Sequence, residues 1–185
     1  KRNIDRYFIT DNQSIYSLLP QVFEHAYSAG LSQHDILDSI GSMRPTPGVE
    51  KLITTLAAEG WDIVLVTDAN SVFVQHWLKV HGLLDCITKI VTNRAFWQGD
   101  HLMIEPCMRQ TTCPHCPVNL CKSLALVEWC TKHAYERIVY CGDGRNDFCP
   151  AASLPPHRRA LHAPDHLPAL SRQPAQVAGA SRVEH

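Results

Sequence analysis

The fold is decided at residues 137–150, which read Arg137-Ile138-Val139-Tyr140-Cys141-Gly142-Asp143-Gly144-Arg145-Asn146-Asp147-Phe148-Cys149-Pro150. The apolar run predicts a buried strand, and the Gly-Asp-Gly that follows predicts a sharp turn, because glycine tolerates bends that a Cβ would obstruct. Asp143 is then expected at the carboxyl tip of the strand, with Asp147 on the next loop pointing back. Two carboxylates at this edge of an α/β sheet suit Mg2+, which prefers oxygen ligands. The alternative is an Asx-Gly turn followed by an unrelated aspartate.

The composition favours one globular domain with room for a small appendage. The chain has 185 residues, of which 45% are hydrophobic, and 17 Lys and Arg balance 18 Asp and Glu. This balance leaves no electrostatic footprint for nucleic acid or an acidic membrane surface. No apolar run approaches the roughly 18 residues of a spanning helix, and the polar N-terminus is unlike a signal peptide. We expect a cytoplasmic protein that binds neither nucleic acid nor membrane, and the missing initiator Met suggests a fragment or a processed form.

The pattern of apolar residues predicts an α/β protein with a mainly parallel sheet. Helices are expected at 11–30, 32–42 (capped by Ser32), 46–60, 71–82 and 118–133, and strands at 61–67, 87–91 and 137–142, with a possible hairpin turning at Gly99-Asp100. We interpret residues 1–45 as a helical cap and 46–150 as the sheet-containing core. Residues 151–185, rich in Pro, His and Arg without a period, are expected to be disordered or poorly packed.

Polar side chains at two strand ends are candidates for binding an anion. Thr67, Asp68 and Asn70 follow the buried run 63–66, and the helix predicted after them would add backbone N–H groups. The alternative for this segment is helix capping. Lys122, expected at the start of a helix, opposes the helix dipole there, which favours a role in binding phosphate over a role in helix stability. The alternative is a solvated surface lysine.

The sequence contains eight cysteines, whose role has more than one interpretation. Cys113 and Cys116 have the Cys-x2-Cys spacing of a zinc site, to which His115 or Cys121 could add a ligand. A redox pair and plain thiols in a proline-stiffened loop are the other interpretations. Without a secretion signal, and with Cys141 in a predicted core strand, reduced thiols are favoured over disulfides.

Three segments together resemble the phosphoethanolamine/phosphocholine phosphatases and their pyridoxal phosphate phosphatase relatives, a branch of the haloacid dehalogenase superfamily. They are 66–70, 113–122 (which contains the more specific Cys-Pro-x-Asn-x-Cys-Lys segment) and 142–150, and the likeness covers about residues 5–150. It implies a Rossmannoid parallel sheet with a small helical cap, and Mg2+-dependent hydrolysis of small phosphomonoesters through an aspartyl-phosphate.

The resemblance also implies roles for individual residues. Thr67 would bind phosphate, Lys122 would neutralise the transferring group, and Asp143 and Asp147 would hold Mg2+, directly or through water. Asp68 would help to read a cationic head group.

The chain departs from the family at the nucleophile motif. The family places Asp-x-Asp-x-Thr at the end of a strand before the cap, and no two aspartates in this sequence are two positions apart. We therefore expect the central, nucleophile-bearing strand to be missing, and the chain alone to be inactive and marginally stable. The alternatives are a non-catalytic relative that binds phosphate or metal, and a small zinc-binding interaction module built on Cys113, Cys116 and Cys121.

Overall fold

The structure is a computed structural model, and it describes residues 15–142, 147–154 and 160–162. Within these ranges the chain forms helices and strands in the order α1 Ile15–Ser28, α2 Gln33–Gly41, α3 Val49–Ala58, β1 Val64–Asn70, α4 Ser71–Val80, a 3-10 turn Leu84–Cys86, β2 Lys89–Gln98, β3 His101–Glu105, α5 Lys122–Lys132, β4 Tyr140–Gly142, α6 Phe148–Ser153 and β5 Ala160–His162. No helix in these ranges is long and apolar enough to cross a membrane.

The first two helices, α1 and α2, pack against strand β3 and helix α4, respectively. Helix α1 continues through Pro20 and contacts β3, while α2 contacts α4. The predicted cap of α2 is confirmed: Ser32 Oγ accepts from Asp35 N at 3.3 Å, and Asp35 Oδ2 accepts from Ser32 N at 2.8 Å. This reciprocal capping box satisfies two backbone donors that the helix itself leaves open. The opening residues of the predicted cap region, 1–14, lie outside the described residues.

Helix α3 leads directly into the first strand. It begins at Val49, later than predicted, because Gly48 at φ 88° occupies the N-cap position. Gly60, at φ 77°, ends it: Gly60 N donates to Ala57 O and Trp61 N donates to Leu56 O. This Schellman pattern needs a left-handed residue, which glycine adopts without strain. It turns the chain from α3 into β1.

The strands form two small sheets among the described residues. In the first, β1 and β2 are parallel, with Leu65 opposite Ile90, and β3 returns antiparallel to β2 after the turn at Gly99-Asp100. The predicted hairpin is therefore confirmed, and the sheet is mixed instead of wholly parallel. In the second sheet, β4 and β5 are parallel. The architecture is mixed α/β, as predicted.

The prediction of a tail without regular structure is wrong for part of its range. Helix α6 extends to Ser153, and β5 at 160–162 pairs with β4 in register Tyr140↔Ala160. The reason is that a three-residue strand carries too little periodicity to be recognised among prolines and arginines. Residues 155–159 and 163–185 lie outside the described residues.

Two burial predictions are also wrong. The run 63–66 was expected to be buried, but Val64 to Ala69 in β1 are only half-buried, and Cys141, expected in a core strand, is exposed. Strand β1 pairs with β2 along one edge, and no other described strand pairs with its second edge. A groove of about 430 Å³, whose lining includes Ile53, Leu65 and Trp77, lies against it. The prediction of a strand from the apolar run was correct, but the elements around β1 leave its residues only half-buried.

Candidate active site

A buried ion pair joins the start of α5 to the start of α6. Lys122 Nζ lies 2.7 Å from Asp147 Oδ1, with the two side chains only 11% and 5% exposed. The hydroxyl of Tyr140 donates a hydrogen bond to the same carboxylate oxygen. Three segments, at 122, 140 and 147, therefore converge on one carboxylate.

Electrostatics explains why these groups lie together. A lysine at the first position of a helix faces the positive end of the helix dipole, and a buried ammonium is costly unless it is paired. The Asp147 carboxylate offsets both penalties. Burial, followed by the hydrogen bond to Asp147 and the charge of that carboxylate, raises the pKa of Tyr140 above its ordinary value. Tyr140 is consequently held in its protonated, donating form.

Gly142 makes room for Asp147. A Cβ placed on Gly142 would lie 2.5 Å from Asp147 Cβ and 2.9 Å from Asp147 Oδ2, closer than two such atoms can approach. Gly142, the last residue of β4, thus allows close packing of the Asp147 side chain, a requirement of space and not of backbone conformation.

A second polar centre is formed at the end of β1 by Asp68, Asn93 and Asn119. Asn93 and Asn119 are 0% exposed. Asn93 Nδ2 donates to the carbonyls of Asp68 and Ala69, each at 2.9 Å, and Asn93 Oδ1 accepts from Cys107 N at 3.1 Å. Asn119 Nδ2 donates to Asn93 Oδ1 and to Asp68 Oδ1. The network ties the tip of β1 to the segment that leads into Lys122.

Asn70 and Thr67 flank this network. Asn70 is the N-cap of α4, and its Oδ1 accepts from Phe73 N at 3.0 Å. Asn70 is 1% exposed, and among the described residues its Nδ2 donor has no hydrogen-bond acceptor. Thr67 Oγ1 accepts from Ala69 N at 3.3 Å, and Thr67 is among the residues lining the groove beside β1.

The structure brings some of the candidate residues into contact with one another, whereas others form hydrogen bonds only with residues close to them in the sequence. Lys122 and Asp147 are in direct contact, and Asp68 accepts a hydrogen bond from Asn119, which lies in the loop three residues before Lys122. Asn70 caps a helix and Thr67 bonds its own turn. Asp143, the other predicted metal ligand, lies outside the described residues.

Sequence reasoning missed the supporting residues. Asn93 follows the β-branched residues Ile90, Val91 and Thr92, and asparagine is disfavoured inside a strand. That unusual position was the available signal for a role of Asn93. Asn119 lay inside a quoted motif but received no role. Tyr140 carried no signal, because a tyrosine in a strand is common.

Four cysteine sulfurs meet beside the Lys122–Asp147 pair. The Sγ atoms of Cys113, Cys116, Cys121 and Cys149 all lie within 4.8 Å of one another. Burial, with the hydrogen bond to Cys113, raises the pKa of Cys149 to about 11. Burial also opposes ionisation of Cys113, but the backbone N–H of His115 and the hydrogen bonds with Cys149 and Cys116 outweigh it, so the pKa of Cys113 is lowered. Three of these cysteines were the predicted zinc candidates, and Cys149 joins them only in the fold.

Comparison with known proteins identifies the family of this chain. A family model described as Putative Phosphatase matches residues 8–161. The chain belongs to this phosphatase family, and the resemblance to the phosphoethanolamine/phosphocholine phosphatases is confirmed.

Its relatives carry the names of phosphatases with different substrates. The chain is 33% identical over 142 residues to the human pyridoxal phosphate phosphatase PHOSPHO2, covering 72% of this chain and 58% of that protein. It is 31% identical to a thiamine phosphate phosphatase-like protein of Arabidopsis thaliana (74% of this chain, 60% of the relative) and 27% identical to the human phosphoethanolamine/phosphocholine phosphatase (74% and 54%). The chain therefore spans little more than half the length of these relatives.

Replacing Asn93 is expected to loosen the whole site. Asn93→Leu leaves the carbonyls of residues 68 and 69 and the amide of Cys107 without their partner, which should lower the free energy of unfolding by at least about 2 kcal/mol. Arg94→Gln is the matched control, because it removes an exposed ion pair with Glu105 and a surface cation–π contact with the Phe96 ring, which together should cost no more than about 1 kcal/mol. Urea denaturation measures both changes, and equal midpoints for the two variants would contradict the proposed role of Asn93.

Adding a methyl group at Gly142 is expected to displace Asp147. Gly142→Ala should lower stability by about 2–3 kcal/mol, since overpacking also separates a buried ion pair. Cys141→Ala is the control: it alters the preceding, exposed residue and should change stability by less than about 0.5 kcal/mol. Thermal unfolding followed by circular dichroism compares the two, and an unchanged midpoint for Gly142→Ala rules out the close packing.

Proposed function

We propose that this protein acts in Mg2+-dependent hydrolysis of small phosphomonoesters, of the pyridoxal phosphate or phosphoethanolamine/phosphocholine type, through an aspartyl-phosphate. The observation that carries the proposal is the buried contact between Lys122 and Asp147, 2.7 Å long, in a chain of a phosphatase family. In such a pair the buried cation can bind a phosphate dianion, and the buried carboxylate can bind the metal ion that accompanies it.

Lys122 is proposed to balance the charge of the phosphoryl group. Its ammonium group lies in a mostly buried position, where electrostatic interactions are stronger than in water. A phosphate bound there would interact with a cation that is already oriented by Asp147. This preorganisation is the usual means by which proteins assist phosphoryl transfer.

Asp147 and Asp143 are proposed to hold Mg2+. Asp147 suits a hard cation, because it offers a buried carboxylate, 5% exposed, whose position is fixed by hydrogen bonds from Lys122 and Tyr140. Asp143, four positions earlier in the sequence, would supply a second carboxylate. The metal would neutralise negative charge on the phosphate oxygens.

Asn70 is proposed to donate to a phosphate oxygen. Its Oδ1 is used in capping α4, whereas its buried Nδ2 has no acceptor among the described residues. A buried donor without an acceptor costs free energy, and a phosphate oxygen would remove that cost. The N-terminus of α4 adds a partial positive charge at the same place. Thr67 is proposed as a further hydroxyl donor.

The nucleophile is the part that this sequence lacks. Attack of an aspartate on phosphorus requires the Asp-x-Asp-x-Thr pair of the family, and residues 1–185 do not contain that spacing. Residues 67–147 would thus supply phosphate and metal binding without the covalent step. We expect the 185-residue chain to bind a phosphomonoester and not to hydrolyse it.

Calorimetry with inorganic phosphate and Mg2+ tests this proposal. The folded chain should bind phosphate, and Lys122→Met should weaken binding by about tenfold to a hundredfold, the value of a charge-assisted hydrogen bond. Lys132→Met is the control, because Lys132 lies at the other end of α5 and pairs with exposed Glu128. Asn70→Ser keeps a capping oxygen but removes the Nδ2 donor, and should weaken binding by about fivefold.

Two outcomes would contradict these expectations. If the folded chain binds neither phosphate nor phosphoethanolamine in the presence of Mg2+, the proposed site is wrong. Robust Mg2+-dependent turnover of p-nitrophenyl phosphate by the same chain would instead refute the expected inactivity.

A non-catalytic, phosphate-binding relative is the second candidate, favoured by the absence of the nucleophile spacing. Fusing a strand with the family's Asp-x-Asp-x-Thr segment ahead of Lys1 separates the two. Restored hydrolysis supports the enzyme, and binding without turnover supports the non-catalytic protein.

A further inference from the structure

Four cysteines form a cluster that has no role in the proposed phosphatase chemistry. This four-cysteine cluster consists of Cys113, Cys116, Cys121 and Cys149. Its members come from two segments: the first three from the loop before α5, and Cys149 from α6. Every pair of sulfurs is within 4.8 Å, and Cys113 Sγ and Cys149 Sγ are 3.5 Å apart. The cluster therefore encloses one small volume lined by sulfur.

We propose that the four-cysteine cluster binds a single Zn2+ ion as a structural, all-thiolate site. Zinc bound by four cysteines has Zn–S bonds of about 2.3 Å, which places neighbouring sulfurs about 3.8 Å apart in a tetrahedron. In the cluster, Cys113 Sγ and Cys149 Sγ are 3.5 Å apart and every pair lies within 4.8 Å, which is close to that arrangement. Sulfur ligands select zinc over Mg2+, and iron–sulfur clusters would hold the cysteines farther apart.

The surroundings hold the sulfurs in place. Gln110, 6% exposed, accepts from Cys113 N at 2.8 Å and donates to the carbonyls of Cys116 at 3.0 Å and Pro117 at 2.9 Å. The backbone N–H of Gln110 also donates a hydrogen bond to Val118 O at 2.9 Å. One buried side chain thus shapes the loop that carries the first two sulfurs, as the partners around metal ligands commonly do.

A disulfide explains the cluster less well than a metal ion. A disulfide between Cys113 and Cys149 would account for two of the sulfurs and leave the convergence of Cys116 and Cys121 without a cause. Cys121 is 1% exposed, so its sulfur is held among the others in a buried position. Four sulfurs around one point are what a tetrahedral ion requires.

Zinc at this position would cross-link α5 to α6. Cys121 immediately precedes Lys122, and Cys149 follows Asp147 by two residues. The ion would therefore hold together the two segments that form the buried pair, as a positioning element with no contact to substrate. The proposal does not depend on the phosphatase function, since metal content can be measured on a chain that turns over nothing.

Elemental analysis of the full 185-residue chain, purified under reducing conditions without chelator, is the first test. We expect zinc in stoichiometric amount. Cys116→Ser and Cys149→Ser should weaken zinc binding by at least about tenfold in competition with a chelator. Cys86→Ser is the matched control, because Cys86 is a half-buried cysteine outside the cluster, and this variant should retain zinc like the unaltered chain.

Cobalt substitution keeps the test decisive even if the serine variants fail to fold. The unaltered chain, stripped of metal and titrated anaerobically with Co2+, should develop thiolate-to-cobalt charge-transfer bands and the intense visible bands of tetrahedral cobalt.

Three results would overturn the proposal: no stoichiometric zinc together with no tetrahedral cobalt spectrum; undiminished zinc in both Cys116→Ser and Cys149→Ser; or a Cys113–Cys149 disulfide in freshly isolated, alkylated protein. Phosphate calorimetry on the same sample reports the proposed function separately, so failure of one does not imply failure of the other.

Discussion

The structure around the candidate site depends on one buried ion pair, Lys122 with Asp147. Taking either charge out of water costs several kcal/mol, and the contact at 2.7 Å offsets that cost only while both partners stay in place. The start of α5, the end of β4 and the start of α6 must therefore meet at one point. Tyr140 contributes a hydrogen bond to the same oxygen, and Gly142 leaves space for the carboxylate. Polar groups thus determine where these three segments lie.

The asparagine network connects this ion pair to the first sheet. Asn93 joins the carbonyls at the end of β1 to Cys107, and Asn119 joins Asn93 to Asp68. Buried networks of this kind favour a single arrangement, because every alternative leaves a donor or an acceptor unsatisfied. The tip of β1 is therefore joined by polar contacts to the loop before α5, and this loop leads within three residues to Lys122 of the buried pair and carries three members of the four-cysteine cluster.

Local patterns predicted the elements well and their surroundings less well. The capping box at Ser32 and the turn at Gly99-Asp100 were correct because they depend on residues close in sequence. Burial of β1 and of Cys141 was predicted wrongly, because it depends on which elements cover a strand. Strand β5 was missed, since three residues carry little pattern and gain their order from pairing with β4.

The sequence by itself determined the chemistry available: the phosphatase family, the strand-end residues Thr67, Asp68 and Asn70, the lysine at the start of α5, and the carboxylate of Asp147. It also determined that no Asp-x-Asp spacing is present in the chain. Only the tertiary structure decided the partners. It paired Lys122 with Asp147, left the Nδ2 of Asn70 without an acceptor among the described residues, and brought Cys149 to three cysteines far earlier in the chain. The physical reason is that such contacts join residues 25 or more positions apart, and packing, not sequence spacing, sets their distances.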